Sequence, residues 1–205
     1  MKKEALQKKV NKGLSEVLNR ADALEQLAED IKVMTVEGQE KITELDVQIT
    51  EVQEIISKTM SLQEAKELQA KISDLQQEKE LQSGVNLAKV NSKKSEVVLL
   101  FEDFSKSYLN LKALYRELDQ VITLEMNIKT VDEDSKLMGK ISENAYDAIY
   151  HVKEVLISLD IIGVEVRSFG GFHLGQARMA TYAHYSTVVK QLKSLKIHFK
   201  RAGVL

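Results

Sequence analysis

A single heptad register runs unbroken through the first part of this chain. With Leu14 at position a, the a positions are Leu14, Ala21, Ala28, Thr35, Ile42, Ile49 and Ile56. The d positions are Val17, Leu24, Ile31, Gly38, Leu45, Val52 and Thr59. An apolar residue every ~3.5 positions keeps a stripe on one side of a helix and requires a second helix to cover it. The expected seam is Leu14, Val17, Leu24, Ile31, Ile42, Leu45, Ile49, Val52 and Ile56, buried against another chain or a returning helix. The pattern weakens only at Thr35 and Gly38. Either the helix closes at Gly38 and a hairpin follows, or it continues. A turn has no reason to preserve heptad phase, so one continuous helix is expected.

Composition agrees. Proline is absent, where average usage over a chain this long gives about ten, and glycine occurs only 9 times in 205 residues. Folds rich in strands and tight turns spend both residue types freely. Cysteine is also absent, which removes disulfides, thiol catalysis and Cys-based zinc sites. The basic start, MKKEALQKKVNKGLSEV, has no apolar run behind it and does not read as a signal peptide. No stretch approaches the ~20 apolar residues of a membrane span. A cytoplasmic or virion-associated protein is expected.

Beyond the first register the chain breaks at residues 58–62. Ser61 and Glu64 have capping-box spacing, with Met60 and Ala65 placed to staple the entry. Ala65, Leu68, Ile72 and Leu75 then start a new register, offset by nine residues, which predicts a bend or a local unwinding of a supercoil. The polar stretch 76–94 contains Ser83-Gly84 and predicts a turn there. From residue 96 to 126 runs the most apolar helix, with Val97, Phe101, Phe104, Tyr108, Leu111, Tyr115, Leu118 and Ile122 in steps of three and four. TVDEDSK, from Thr130, reads as an acidic loop or loose connection. Ser142 is placed to cap a helix carrying Ala145, Ile149, Val152, Leu156 and Leu159, ending near Gly163. VEVRSFGGFHLG, residues 164–175, is either a small β-hairpin or an irregular elbow, and the elbow is favoured. The fold class expected is all-α: a long coiled-coil stalk (rod or hairpin) over 1–82, joined to a compact helical body over 85–205 whose last helix covers 176–201.

Charge is unevenly spread. The net charge is −2. No carboxylate side chain follows Glu165, and the remaining residues carry Arg167, Arg178, Lys190, Lys193, Lys196, Lys200 and Arg201, a formal +7 that leaves −9 for the first 165. In the last helix Tyr185, Val188, Leu192, Leu195 and Phe199 form one apolar stripe, expected to pack inward. Arg178, Lys190, Lys193, Lys196, Lys200 and Arg201 form a basic face, expected to meet an acidic protein surface or the chain's own acidic part. A membrane surface is the next reading, and nucleic acid the least favoured.

Motifs of chemistry are scarce. His151, His173, His184 and His198 fall in no HExxH pair; GxSxG and GxxxxGK[ST] are missing. Gly170, Gly171 and Gly175 precede a helix near Arg167, His173 and Arg178, a weak anion-site pattern that reads better as an elbow. The expected function is therefore non-enzymatic: a structural or assembly protein acting by self-association or partner bridging, as in a large particle such as a phage virion or a filament. A homo-oligomer or a helical protein partner is expected, with no cofactor, metal or small-molecule substrate. The alternatives are a membrane-active helical protein, remodelling or pore-forming, and a nucleic-acid-associated factor.

Overall fold

The structure is a computed structural model and describes residues 2–175, 179 and 187–204, for Lys2, Thr187 and Val188 the backbone alone. The described elements are α1 (Lys2–Lys58), α2 (Leu62–Glu125), α3 (Val131–Ser158), β1 (Ser168–Phe169), β2 (Phe172–His173) and α4 (Thr187–Arg201). The protein is all-α, with one two-stranded hairpin among the described residues. Two compact units emerge: one joins Met1–Glu25 to Val98–Leu205, the other is Gln26–Val97. This division differs from the expected 1–82 and 85–205, because the first 25 residues group with the C-terminal half.

In the unit Gln26–Val97, α1 and α2 run antiparallel. Asp46 and Lys79 form an ion pair at 2.6 Å, and Gly38 faces Asn86, so rising numbers on one helix meet falling numbers on the other. Leu45, Ile49 and Val52 pack with Ile72 and Leu75, flanked by Ile56 and Leu68. The covering helix for this part of the seam is thus the returning one. The offset register after residue 62 reflects that reversal, not a bend or an unwound supercoil.

The link itself follows the capping chemistry. Ser61 Oγ accepts from the Glu64 amide at 3.3 Å, and Thr59 Oγ1 donates to Glu64 Oε2 at 2.7 Å. The expected staple does not form, since Met60 is fully exposed.

Two glycines behave differently from their reputation. α1 continues through Gly38, as expected, and a side chain there would overlap that of Asn86. α2 also continues through Gly84, where a turn was expected. Gly84 is exposed with open space around it. A lone glycine costs a helix about 1 kcal/mol, too little to break one held by a packed neighbour.

In the other unit the expected aromatic stripe is the core. Phe101, Phe104, Tyr108, Leu111, Tyr115, Leu118 and Ile122 are all buried. Leu14, Val17 and Leu24 of α1 are buried too, and Gly13 packs beside Leu111 and Leu114. Lys3 pairs with Asp134 at 2.5 Å, and His151 Nε2 lies 3.1 Å from Glu25 Oε2, so α3 runs parallel to α1. Tyr115 Oη donates to the Met138 carbonyl at 3.0 Å, tying α2 to α3. Burial pushes the Tyr108 phenol up to about 12, keeping it neutral inside the core.

TVDEDSK is not a loop. Asn127 Oδ1 accepts from the amides of Lys129 (2.9 Å) and Thr130 (3.3 Å), closing a tight turn, and α3 starts at Val131 with Asp132, Glu133 and Asp134 in its first turn. Carboxylates there interact favourably with the helix dipole. Ser142 consequently lies inside α3, not at its cap, and donates to the Met179 carbonyl at 3.0 Å.

α3 stops at Ser158, short of Gly163. The Asp160 amide bonds the Ile157 carbonyl and the Ile161 amide the Leu156 carbonyl, both at 3.0 Å, with Asp160 at φ +54°. That is a Schellman ending with aspartate where glycine is usual. The segment 164–175 then forms the hairpin and not the elbow. Gly170 (φ +53°) and Gly171 (φ +76°) supply the two left-handed residues of a two-residue turn. The reason is packing: Phe172 meets Phe101, Phe104 and Tyr108 edge-on with centroids 6.0, 6.2 and 5.4 Å away, and Phe169 lies 5.1 Å from Phe101.

Two stability tests follow from these contacts. Gly38→Ala should destabilise the chain by about 1 kcal/mol in urea unfolding, overlap with Asn86 outweighing a propensity gain of similar size. Adding Asn86→Ala should lift stability above that of the wild type. A single variant more stable than wild type would show that Asn86 yields freely. Asp160→Gly should raise stability by about 0.5–1 kcal/mol by removing the left-handed strain, and an unchanged or lower Tm would contradict it.

Candidate interaction site at the C-terminal helix

α4 packs on α3, and the orientation is the informative point. The positions turned inward are Val189, which is buried, and Lys193 and Lys196, which are half-buried. Lys193 Nζ donates to Ser135 Oγ at 2.9 Å. Lys196 Nζ reaches Asp132 Oδ2 at 2.7 Å and the Lys129 carbonyl at 3.3 Å. Residues 189, 193 and 196 share a face at steps of four and three. The expected inward stripe (188, 192, 195, 199) is displaced from it by one residue, or about 100° of helix rotation.

Acidity at the start of α3 explains the rotation. Asp132, Glu133 and Asp134 lie in one turn, and cations turned toward them relieve their mutual repulsion. The hydrogen bond from Lys196, followed by the charges of Lys196, Lys193 and Lys200, holds the Asp132 carboxyl below its ordinary 3.8. The basic face is therefore split. Lys193 and Lys196 meet the chain's own acidic part, whereas Lys190, Lys200 and Arg201 remain exposed; Arg178 lies outside the described residues. Of the expected apolar stripe, Leu192 is half-buried, while Leu195 and Phe199 stay 45% and 37% exposed. Tyr185 also lies outside the described residues, and Val188 has no described side chain.

Turning the lysines inward leaves an apolar groove. It has a volume near 660 Å³ and is lined by Met126, Asn127, Ile128, Lys129, Leu192, Phe199 and Val204. Gly203 (φ +71°) completes it: the Gly203 amide bonds the Lys200 carbonyl at 3.2 Å, and the Val204 amide bonds Phe199 at 3.0 Å. This second Schellman ending folds Val204 back to Phe199. Lys129, Lys200 and Arg201 add positive charge around the apolar floor. The groove escaped the sequence reading, although Phe199 and Val204 flanking Gly203 carry the spacing of that ending.

The nine predicted seam residues are buried or half-buried. Leu14, Val17 and Leu24 belong to one unit and Ile31 to Ile56 to the other, so they form no common site. Among the histidines, His173 Nδ1 accepts from the Gly175 amide at 3.1 Å and His151 faces Glu25. His198 is exposed, and His184 lies outside the described residues. Among the described residues no three potential metal ligands cluster, and no helix is long and apolar enough to cross a membrane.

The linkage between Asp132 and Lys196 sets a pH test. A lowered folded pKa means that the contact supports α4 above the ordinary value of 3.8 and is lost as pH falls through the folded value. Hydrogen exchange in α4 should accelerate over that acid window. In Lys196→Gln it should already be fast at neutral pH, with the Asp132 titration moved up toward 3.8. An unmoved Asp132 titration would show that the contact is not made in solution. Comparison of the chain with protein families, curated proteins and solved structures gives no match.

Proposed function

We propose that this chain is a non-enzymatic assembly protein that engages helical protein surfaces through the groove beside α4. The observation that carries this reading is the orientation of α4. Lys193 and Lys196 are used internally, and Leu195 and Phe199 are left 45% and 37% exposed on the side of α4 that carries a preformed apolar groove. Contiguous exposed apolar surface rimmed by charge is characteristic of interaction sites. Concavity favours a helix over other occupants, because a groove accepts the ridge of side chains an amphipathic helix presents.

A membrane surface is the second reading, since Leu195 and Phe199 are exposed on a short helix that also carries exposed Lys190, Lys200 and Arg201. Nucleic acid is disfavoured because Lys193 and Lys196 already have partners.

The experiment is sedimentation of extracts from cells that make the protein, comparing wild type with Phe199→Glu. The wild type should travel in a complex heavier than the monomer and the variant as the free chain. Wild type sedimenting as a free monomer would overturn the assembly reading. Recovery with floated lipid, abolished by the same substitution, would favour the membrane.

A further inference from the structure

Within the unit Gln26–Val97, the stretch of α2 from Leu81 to Ala88 holds no charged residue, although Glu80 and Lys89 bound it. Leu75, Gln82, Asn86, Val90 and Val97 are buried or half-buried and mark the inward side of the helix. Opposite them stand Gln77, Leu81, Gly84, Ala88, Ser92 and Ser95, all exposed, in steps of four and three. Val85 borders this row, and Leu81 and Val85 are 64% and 48% exposed. Charges lie on the flanks: Lys71, Glu78, Lys89 and Glu96 on the side of Val85, and Glu80 on the other. A helix face that meets only water is ordinarily polar or charged; Leu81, Gly84 and Val85 are neither. Gly84 is the most telling of them. No atom lies within 4 Å of where its Cβ would stand, and alanine there would suit the helix better. Nothing inside the chain uses the missing side chain. An outward glycine does let a second backbone approach closely.

The flanking charges identify what approaches. Glu78 and Lys89, both exposed, stand on one flank at equal distances either side of the Ser83–Gly84 peptide. Lys71 and Glu96 stand farther out on that flank, again at equal distances, with the signs exchanged. A two-fold axis across α2 at this peptide therefore sets each of these glutamates opposite a lysine. We infer that α2 pairs antiparallel with α2 of a second copy, the axis passing at Ser83–Gly84. Glu78 of each copy meets Lys89 of the other, Lys71 meets Glu96, and Leu81 seats between Val85 and Ala88 across the axis. Asp74, the nearest charge in line with the row, falls opposite Ser92, whose hydroxyl can donate to it. Glu96 also pairs with Lys93 of its own helix at 2.7 Å, so the outer contacts contribute less than the inner ones. A parallel pairing would bring Glu78 beside Glu80 instead. The face is self-complementary, so association closes at the dimer. It uses no residue of the groove beside α4 and goes beyond the occupant proposed for that groove.

The test uses the purified full-length chain in sedimentation equilibrium over an about hundredfold concentration range. The wild type should pass from monomer to dimer and stop there. Salt should weaken the dimer, because its flanking charges are exposed. Gly84→Gln blocks the close approach yet suits a helix, so at concentrations where the chain is monomeric its Tm should equal or exceed that of the wild type. Its dimer should be about tenfold weaker or worse. Glu78→Lys and Lys89→Glu should each weaken the dimer about fivefold, and the two together should restore it, which a general loss of stability could not do. Phe199→Glu, purified and concentrated, should dimerise as the wild type does, since it leaves this face intact. A wild type that stays monomeric or grows past the dimer, a Gly84→Gln chain that dimerises normally, or a double reversal no better than the single ones would each overturn the inference. A purified chain that is monomeric alone but heavy in its native extract removes this inference and leaves the assembly reading standing. A dimer lost in Phe199→Glu and kept in Gly84→Gln would overturn it too, and would assign self-association to the groove.

Discussion

A helix that is apolar along one side gains little by itself, because water still covers the stripe. The whole of this structure depends on how the stripe of α1 is covered. In the unit Gln26–Val97 the cover is α2 alone, giving a core of modest Leu, Ile and Val side chains. In the other unit α2 brings Phe101, Phe104, Tyr108 and Tyr115, and α3 and the hairpin close over them. One stripe is served by two kinds of neighbour. The aromatic side carries far more apolar area per residue, and the hairpin packs there.

The consequence for function is that the seam is already occupied. Residues such as Leu45 and Ile49 meet a helix of their own chain, so any contact with other molecules must come from faces the fold leaves uncovered. Among the described residues, the apolar flank of α4 with its groove is one such face. Orientation of α4 is set by electrostatics at close range. Had Leu195 and Phe199 turned inward, Asp132, Glu133 and Asp134 would have faced one another without Lys196.

Periodicity made much of this legible. The heptads from Leu14 to Ile56, the break after Lys58, the Ser61 cap and the aromatic stripe from Phe101 to Ile122 all read directly, because each is a local pattern with one physical meaning. What failed depended on contacts distant in sequence. Ser83-Gly84 looked like a turn because nothing nearby reveals that α2 lies against α1. Ser142 looked like a cap because its bond to Met179 is made across the fold. The hairpin was undervalued because its support, the face-to-edge packing of Phe172, comes from residues 64 to 71 positions earlier. The groove beside α4 was missed for the same reason: an amphipathic helix shows its two faces in sequence but not which one turns in.

The grouping of Met1–Glu25 with Val98–Leu205 has a bearing on how the protein is made. The partners of Met1–Glu25 are made only after the intervening Gln26–Val97. Until then Leu14, Val17 and Leu24 face solvent or a chaperone. The intervening residues, Gln26–Val97, hold both halves of a local antiparallel pair and can zip as soon as both are out. Zipping shortens the stretch of free chain that the larger unit must close, and loop closure is easier for a shorter loop. The inserted hairpin is in that sense a folding aid to the unit that surrounds it, and its early completion limits the time for which the nascent α1 is exposed to aggregation.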